Sequence, residues 1–267
     1  MYNFSKLLLN ENMKIYLRTR TWIMTGLLLA LVVFMTVPVY FMSKDSAMSM
    51  WTLVKYESAV GYLLIAMFTA VVAAGSVAEE FTSGTIKLLL IRPWMRWKIL
   101  LSKYISVVLF ALLQVVLLYA FTIAFNFLFF DHTNVTAEEI HGFFVGDGQY
   151  EGSAAVYNMK YYAMRFIALL VTSMIAFMLS TVFRSGGLAI GLSIFLVFSS
   201  ISIGPIIGLI DYKWVDYLFF VHLDLVPYLT GNVGDRTLGF AISVLAVYYA
   251  LFAALTWFVF EKRDVGA

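Results

Sequence analysis

Six long apolar stretches, almost free of charged residues, constrain this chain more than any other feature. A helix needs about 20 such residues to cross the roughly 30 Å hydrocarbon layer of a membrane. Backbone polar groups must be paired internally in that layer, so each stretch is predicted to be helical. The predicted spans cover residues 22–42, 58–78, 104–130, 162–183, 185–210 and 238–260.

The composition excludes most soluble classes. Hydrophobic residues make up 62% of the 267 residues and charged residues only 13%, with a mean hydropathy of +0.89; ordinary soluble domains carry about 25% charged residues. The net charge of +2 is too small to suggest nucleic-acid binding. The absence of Cys excludes disulfides and thiolate metal sites. The predicted fold is therefore an all-α integral membrane protein with a single transmembrane domain.

The distribution of basic residues predicts the orientation in the membrane. Six spans place both termini on the same side, and the 18 Lys and Arg residues favour that side. Because cytoplasmic segments carry an excess of Lys and Arg, both termini are predicted to be cytoplasmic. Six basic residues fall on the other side and the remaining twelve on the side of the termini; the six are Lys44, Lys55, Lys160, Arg165, Lys213 and Arg236.

The segments outside the spans carry further predictions. Residues 1–21 place Phe4 and Leu7 near one helical face and Lys14 and Arg18 on another, which is typical of a helix in the membrane interface. A plain basic tail is the alternative. We expect an outer loop over residues 131–161. Residues 211–236 are too apolar for a solvated loop and predict a short interfacial or re-entrant helix; they include Trp214, Tyr217, Phe219, Phe220 and Tyr228.

The segment 79–103 is the most informative, being polar at its start, apolar in its middle and basic at its end. Ser83 or Thr82 can cap a short helix that must stop before Pro93. A second amphipathic stretch then leads to Lys103, which we interpret as an interfacial anchor. Turning the chain needs only a handful of residues, so we expect another molecule to dock here; a helix resting on lipid headgroups is the alternative.

The pattern of Glu-Glu, Gly-Thr, a Leu run and Arg-Pro in this segment resembles the signature of membrane subunits of ATP-binding cassette (ABC) transporters of the type-2 exporter class. The layout of a basic N-terminal helix, six spans and a charged intracellular segment after the second span is also similar to that family. The resemblance implies a coupling helix that enters a groove on a separate ATPase subunit. Its residues would be Glu79, Glu80, Gly84, Thr85, Leu89, Arg92 and Pro93.

The same resemblance implies the partners. A second permease subunit, identical or different, would complete the route, and two ABC ATPase subunits would dock from the cytoplasm. The chain contains no G-x-x-x-x-G-K-[ST] phosphate loop, so ATP and Mg are expected on the ATPase, with no cofactor, metal site or catalytic residue in this chain. The expected cargo is an amphipathic peptide, an antibiotic or a lipid-like molecule, exported across a bacterial plasma membrane.

Two spans contain small residues at helical spacing, which let helices approach closely. We expect these faces to be buried against protein, within the chain or in a dimer, and the polar outer half of the fifth span to line a route. The residues in the second span are Ala66, Ala70 and Ala74; those in the fifth are Gly187, Gly191, Ser199, Ser200, Gly204, Pro205 and Gly208.

Two other functional classes were weighed. A stand-alone channel or secondary transporter would leave segment 79–103 without a docking partner. It would also need ion carriers, and no charged residue lies in the central part of a predicted span, since Glu57 precedes the second span. An intramembrane protease is a remote third class, because the Glu79-Glu80 pair is not followed by the Arg and the F-x-x-x-H motif that such enzymes require.

Overall fold

The computed structural model of the protein describes residues 4–42, 49–86, 94–130, 153–183, 185–208, 212–231 and 233–262. These residues form helices and no β-strand. Two 3-10 turns, Lys213–Tyr217 and Val226–Leu229, flank the shortest helix. The helices are α1 (Phe4–Tyr16), α2 (Thr19–Met42), α3 (Met50–Thr82), α4 (Arg96–Phe129), α5 (Ala154–Val182), α6 (Gly186–Gly208), α7 (Phe219–His222) and α8 (Leu238–Lys262).

Five of the described helices, α2, α3, α4, α5 and α8, are long and apolar enough to cross a membrane. Large apolar side chains lie exposed along α2 and α8, among them Phe34 and Trp257. A soluble protein would bury such residues, whereas in a bilayer they contact lipid. The predicted helical membrane protein is therefore confirmed. Helix α6 is apolar and 23 residues long, and its role as a sixth span stays a prediction.

Helix α3 lies at the centre of the bundle, in contact with α2, α4, α5 and α6. Small residues make this possible: Ala74 and Ala78 pack against Ala189 of α6. A Cβ atom added to Gly61 would lie 2.6 Å from a methyl carbon of Leu118 on α4, so the Leu118 side chain would have to shift to admit a larger residue at position 61. Consequently α3 is positioned to transmit movement to most of the other helices.

Several helices extend beyond the predicted spans. Helix α3 begins eight residues before the predicted start at residue 58, with the Ser49 hydroxyl accepting a hydrogen bond from the Trp51 N–H as its N-cap, and it ends four residues late. Helix α4 begins at Arg96 rather than residue 104, and α5 at Ala154 rather than residue 162. The helices are longer than the predicted spans because an apolar window locates the hydrocarbon layer, whereas the helices continue through polar residues that pair across the bundle.

The segment after α6 folds back onto the bundle. Leu223, Leu225 and Tyr228 pack in one apolar cluster with residues of α5 and α8. Arg236 Nε donates to Asp216 Oδ1 at 2.6 Å, which joins the two ends of the described part of this segment. The expected helical structure in 211–236 is present as α7 and the two 3-10 turns. Most of the predicted outer loop, residues 131–152, lies outside the described residues.

Candidate functional site

The N-terminal helix α1 docks at one end of the bundle, where α3 ends and α4 begins. Leu7 is buried in an apolar cluster with Val77 of α3 and Ile99 of α4, so the predicted N-terminal helix is present. A second apolar stripe of α1 is exposed: Leu9 and Met13 show 62% and 49% of their surface. The helix thus contacts the protein on one face and leaves an apolar face available to the membrane interface.

Lys103 of α4 is the buried centre of this docking surface. Its ammonium nitrogen lies 2.9 Å from Glu11 Oε2, 2.9 Å from Glu80 Oε1 and 3.1 Å from the backbone oxygen of Ser76. These contacts use all three ammonium hydrogens. The Lys103 side chain is only 2% exposed. One cation therefore joins α1, α3 and α4.

Lys14 bridges the same two carboxylates from the side of α1, at 3.0 Å from Glu11 Oε1 and 2.8 Å from Glu80 Oε1. Partial burial lowers the pKa of Lys14, but its hydrogen bond to Glu80 and the charges of Glu11 and Glu80 outweigh that effect and raise the pKa above its ordinary value. Lys14 is thus charged at neutral pH, as the two carboxylates require.

Glu79 carries the outer part of the network. It accepts hydrogen bonds from Arg18, and from Arg20 Nη1 at 2.5 Å, both at the junction between α1 and α2. These side chains are 27–44% exposed, so each pair contributes less than a buried one. We call the complete set the Lys103 cluster; its members are Glu11, Lys14, Arg18, Arg20, Glu79, Glu80 and Lys103.

A cavity of about 430 Å³ opens between α1 and the ends of α3 and α4. All members of the Lys103 cluster line it, together with Ser83 and Thr85 at the end of α3. Its walls carry four cations and three carboxylates, which give it a slight positive charge, and most of its remaining lining is apolar.

A second polar cluster lies at the opposite end of α3. Glu57 accepts hydrogen bonds from Thr36 Oγ1 of α2 and from Asn126 Nδ2 of α4, both at 2.6 Å. All three side chains are fully buried. Glu57 precedes Glu79 by 22 residues on one continuous helix, a separation of about 33 Å. Glu57 was predicted to precede the second span, and the structure places it inside helix α3, which begins at Met50. We call this set the Glu57 cluster.

Comparison with known proteins identifies the family. Residues 22–266 match a family model described as "Protein of unknown function (DUF2705)". The chain belongs to this family. It is 36% identical over 224 residues to "Uncharacterized protein YhcI" of Bacillus subtilis (strain 168), covering 83% of this chain and 71% of that protein. It is 28% identical over 220 residues to "Uncharacterized membrane protein YdbK" of the same organism, covering 78% and 84%.

The family match covers only part of the Lys103 cluster. Glu79, Glu80 and Lys103 lie inside the matched range, whereas Glu11 and Lys14 of α1 precede it. The part of the site contributed by α3 and α4 thus belongs to the family region. The relative described as a membrane protein is in accord with the apolar helices of this chain.

The structure describes four of the predicted coupling residues and places them at the end of α3 and in the turn that follows it. Glu79 and Glu80 occupy the last turn of α3, not a separate helix, and their charges face α1 and α4. Ser83 or Thr82 was expected to cap a new short helix; instead the Ser83 N–H and hydroxyl donate to the Glu79 carbonyl oxygen and cap the end of α3. Residues 87–93 of the expected short helix lie outside the described residues. Gly84 follows with a φ of 71°, which favours glycine. The exposed Thr85 hydroxyl donates to Glu80 Oε2 at 2.9 Å. Leu89, Arg92 and Pro93 lie outside the described residues.

The predicted packing residues also differ in their surroundings. Ala70 and Ala74 are buried in α3 and Ala66 is half-buried. Gly187 and Gly191 are exposed on α6, so they are not buried within the chain, and their burial in a dimer stays a prediction. Ser199 is buried, and the half-buried Ser200 hydroxyl donates to the Val197 carbonyl oxygen. Gly204, Pro205 and Gly208 belong to α6, but their surroundings lie outside the described part of the structure.

Sequence reasoning missed the partners of Glu79 and Glu80. Lys14 and Arg18 were interpreted as a polar interfacial face and Lys103 as a headgroup anchor. One local signal was present, because Glu11 and Lys14 stand three residues apart and form an i,i+3 ion pair. Nothing local indicated Lys103, which is 92 residues from Glu11 in the chain.

Proposed function

We propose that this protein is the permease subunit of an ATP-driven exporter of the ABC type-2 class. It has six membrane spans, with both termini in the cytoplasm of a bacterial plasma membrane. Two permease subunits pair to form the route, and two separate ATPase subunits dock from the cytoplasm. The cargo is an amphipathic peptide, an antibiotic or a lipid-like molecule.

One observation carries the proposal: the Lys103 cluster joins α1, the end of α3 and the start of α4 through buried charges. The chain between α3 and α4 is therefore attached at both ends to one rigid unit. A partner that moves this connection moves the central helix α3 with it, and α3 contacts α2, α4, α5 and α6. A force applied by nucleotide-driven motion would reach most of the bundle.

The accessible docking surface is the exposed turn of Ser83, Gly84 and Thr85 together with the adjoining cavity. The carboxylates of Glu79 and Glu80 are occupied by internal ion pairs, so their role is to hold the turn in place. Glu79 and Glu80 therefore do not pair directly with charges of the ATPase. They retain the mechanical role that the family resemblance implies.

The first test is the composition of the native complex. The full chain is purified from its bacterial membrane in mild detergent and the intact complex is weighed by mass spectrometry. We expect two copies of this chain with two ATPase subunits, and ATP hydrolysis that cargo stimulates. Uphill flux by this chain alone in liposomes, without any ATPase, would contradict the proposal.

The second test addresses the docking surface. Thr85→Arg places a bulky charge on the exposed turn and should lower cargo-stimulated ATP hydrolysis by about tenfold, the effect of losing one important interface contact. Asp235→Arg, on an exposed turn of the segment before α8, is the matched control and should leave it unchanged. Glu80→Ala is less informative because it also removes a partner of Lys103. If Thr85→Arg and Asp235→Arg show equal cargo-stimulated ATP hydrolysis, the turn is not part of the ATPase interface.

A stand-alone secondary transporter is the second candidate, and Glu57 favours it. A buried carboxylate in a membrane-spanning helix often marks an ion pathway. The liposome experiment separates the two candidates, since a secondary transporter needs an ion gradient and no ATPase.

A further inference from the structure

The Glu57 cluster has more hydrogen-bond acceptors than donors. An ionised carboxylate offers about four acceptor positions, and Glu57 fills two of them with Thr36 and Asn126. Asn126 is fully buried, and its Oδ1 atom accepts no hydrogen bond within the described residues. Thr36 donates its hydroxyl proton to Glu57 and retains lone pairs of its own. The cluster therefore holds several buried oxygen lone pairs for which the described residues supply no hydrogen.

The cluster also lacks a positive charge. None of the ion pairs formed between described residues includes Glu57. The nearby Tyr162 hydroxyl pairs with Ser58 at 2.8 Å and is neutral. Burying an ionised carboxylate without a compensating charge is costly. This contrasts with the Lys103 cluster, where each carboxylate has at least one cationic partner.

We propose that Glu57, Asn126 and Thr36 bind one small monovalent cation, for which Na⁺ is the probe. Carboxylate, amide and hydroxyl oxygens are the ligands that hard cations prefer. A single carboxylate neutralises a single charge, and the described residues contain no group of three or more acidic or His side chains that would suit a multivalent metal. Binding requires the Asn126 amide to turn so that Oδ1 joins the Glu57 oxygens.

The site would have a structural consequence, because its three ligands come from α2, α3 and α4. A bound cation holds these helices together at the end of the bundle opposite the Lys103 cluster. This inference goes beyond the proposed function and does not depend on it, since cation binding needs no ATPase and can be measured on this chain alone.

The experiment compares thermal unfolding of the purified full chain in NaCl, KCl and choline chloride at equal ionic strength and pH. A ligand that binds only the folded state raises the unfolding midpoint. We expect a rise of about 3 °C in NaCl relative to choline chloride at about ten times the dissociation constant. Equilibrium binding of ²²Na⁺ should give about one ion per chain, as the proposal requires.

Glu57→Gln and Asn126→Leu should abolish both the Na⁺-dependent shift and ²²Na⁺ binding. Gln114→Leu is the matched control, because Gln114 is a buried amide on the same helix whose Oε1 also has no partner in the described structure; it should retain both. If Glu57→Gln does not fold, the native protein and Asn126→Leu decide the question. The proposal is overturned if the unfolding midpoint does not change with Na⁺, if it changes only with pH, or if Na⁺ shifts it equally in Glu57→Gln.

Discussion

Replacing Lys103 by Met is the sharpest perturbation of the candidate site. Met has a similar length and fills the same space, so the change removes the charge with little change in packing. It leaves the carboxylates of Glu11 and Glu80, whose side chains are 5% and 12% exposed, with Lys14 as their remaining cationic partner. Removing one partner from a buried ion pair costs about 3–5 kcal/mol.

Because Lys14 remains, we expect the lower end of that range, about 3 kcal/mol. A chain of this size loses roughly 2–4 °C of unfolding temperature per kcal/mol, so the midpoint should fall by about 6–12 °C. The assay is thermal unfolding of the full chain in lipid nanodiscs. Lys262→Met is the control; this lysine is exposed at the end of α8, and the change should cost less than about 0.5 kcal/mol.

The position of α1 gives a second readout of the same change. The sequence contains no Cys, so introduced cysteines at the exposed Met13 and Trp97 accept spin labels at those two sites alone. Their distance distribution should broaden in Lys103→Met because α1 loses its buried attachment to α4. Adding Glu11→Leu should recover part of the lost stability, since removing both partners avoids an unpaired charge. Loss of stability no greater than in Lys262→Met, with an unchanged distance, would refute the reasoning.

Three further predictions address other parts of the protein. Gly61→Ala should destabilise the fold by about 1–3 kcal/mol in chemical unfolding, because the new Cβ meets the fully buried Leu118. Arg18→Gln should cost less than about 1 kcal/mol, and the difference from the native protein should shrink in high salt, since its pair with Glu79 is exposed. Burial lowers the pKa of His222, so the folded protein favours the neutral ring. The contribution of His222 to stability is full above its unfolded pKa of about 6.5. That contribution is lost as the pH falls from about 6.5 through the lower pKa of the folded state. The protection factors of the α7 amides against hydrogen exchange, corrected for the intrinsic rate at each pH, should therefore fall on acidification, and His222→Gln should remove that fall.

The helices at the edge of the bundle were the easiest to predict. Helix α2 begins three residues before the predicted span and ends with it, and α8 ends two residues after its predicted span. Both helices are largely exposed, so their limits follow the apolar run itself. Helix α3 extends further beyond its predicted span at both ends because Glu57, Glu79 and Glu80 interrupt the apolar pattern while remaining inside the helix.

The candidate site, too, was predicted only in part from the sequence. The sequence singled out Glu79, Glu80 and the turn after them, since the Glu-Glu and Gly-Thr pairs are visible in the chain. It gave no indication that α1 supplies the opposing charges or that Lys103 is buried. These pairings join residues 23 to 92 positions apart, and helical periodicity carries no information about contacts at that range.

The apolar content of the chain was sufficient by itself to determine the class of protein, because a bilayer accepts only self-paired backbone and apolar surface. Which charged residues are buried was decided by the tertiary structure alone. A carboxylate or an ammonium group remains inside such a bundle only where another helix supplies its partner, and the identity of that partner depends on how the helices pack.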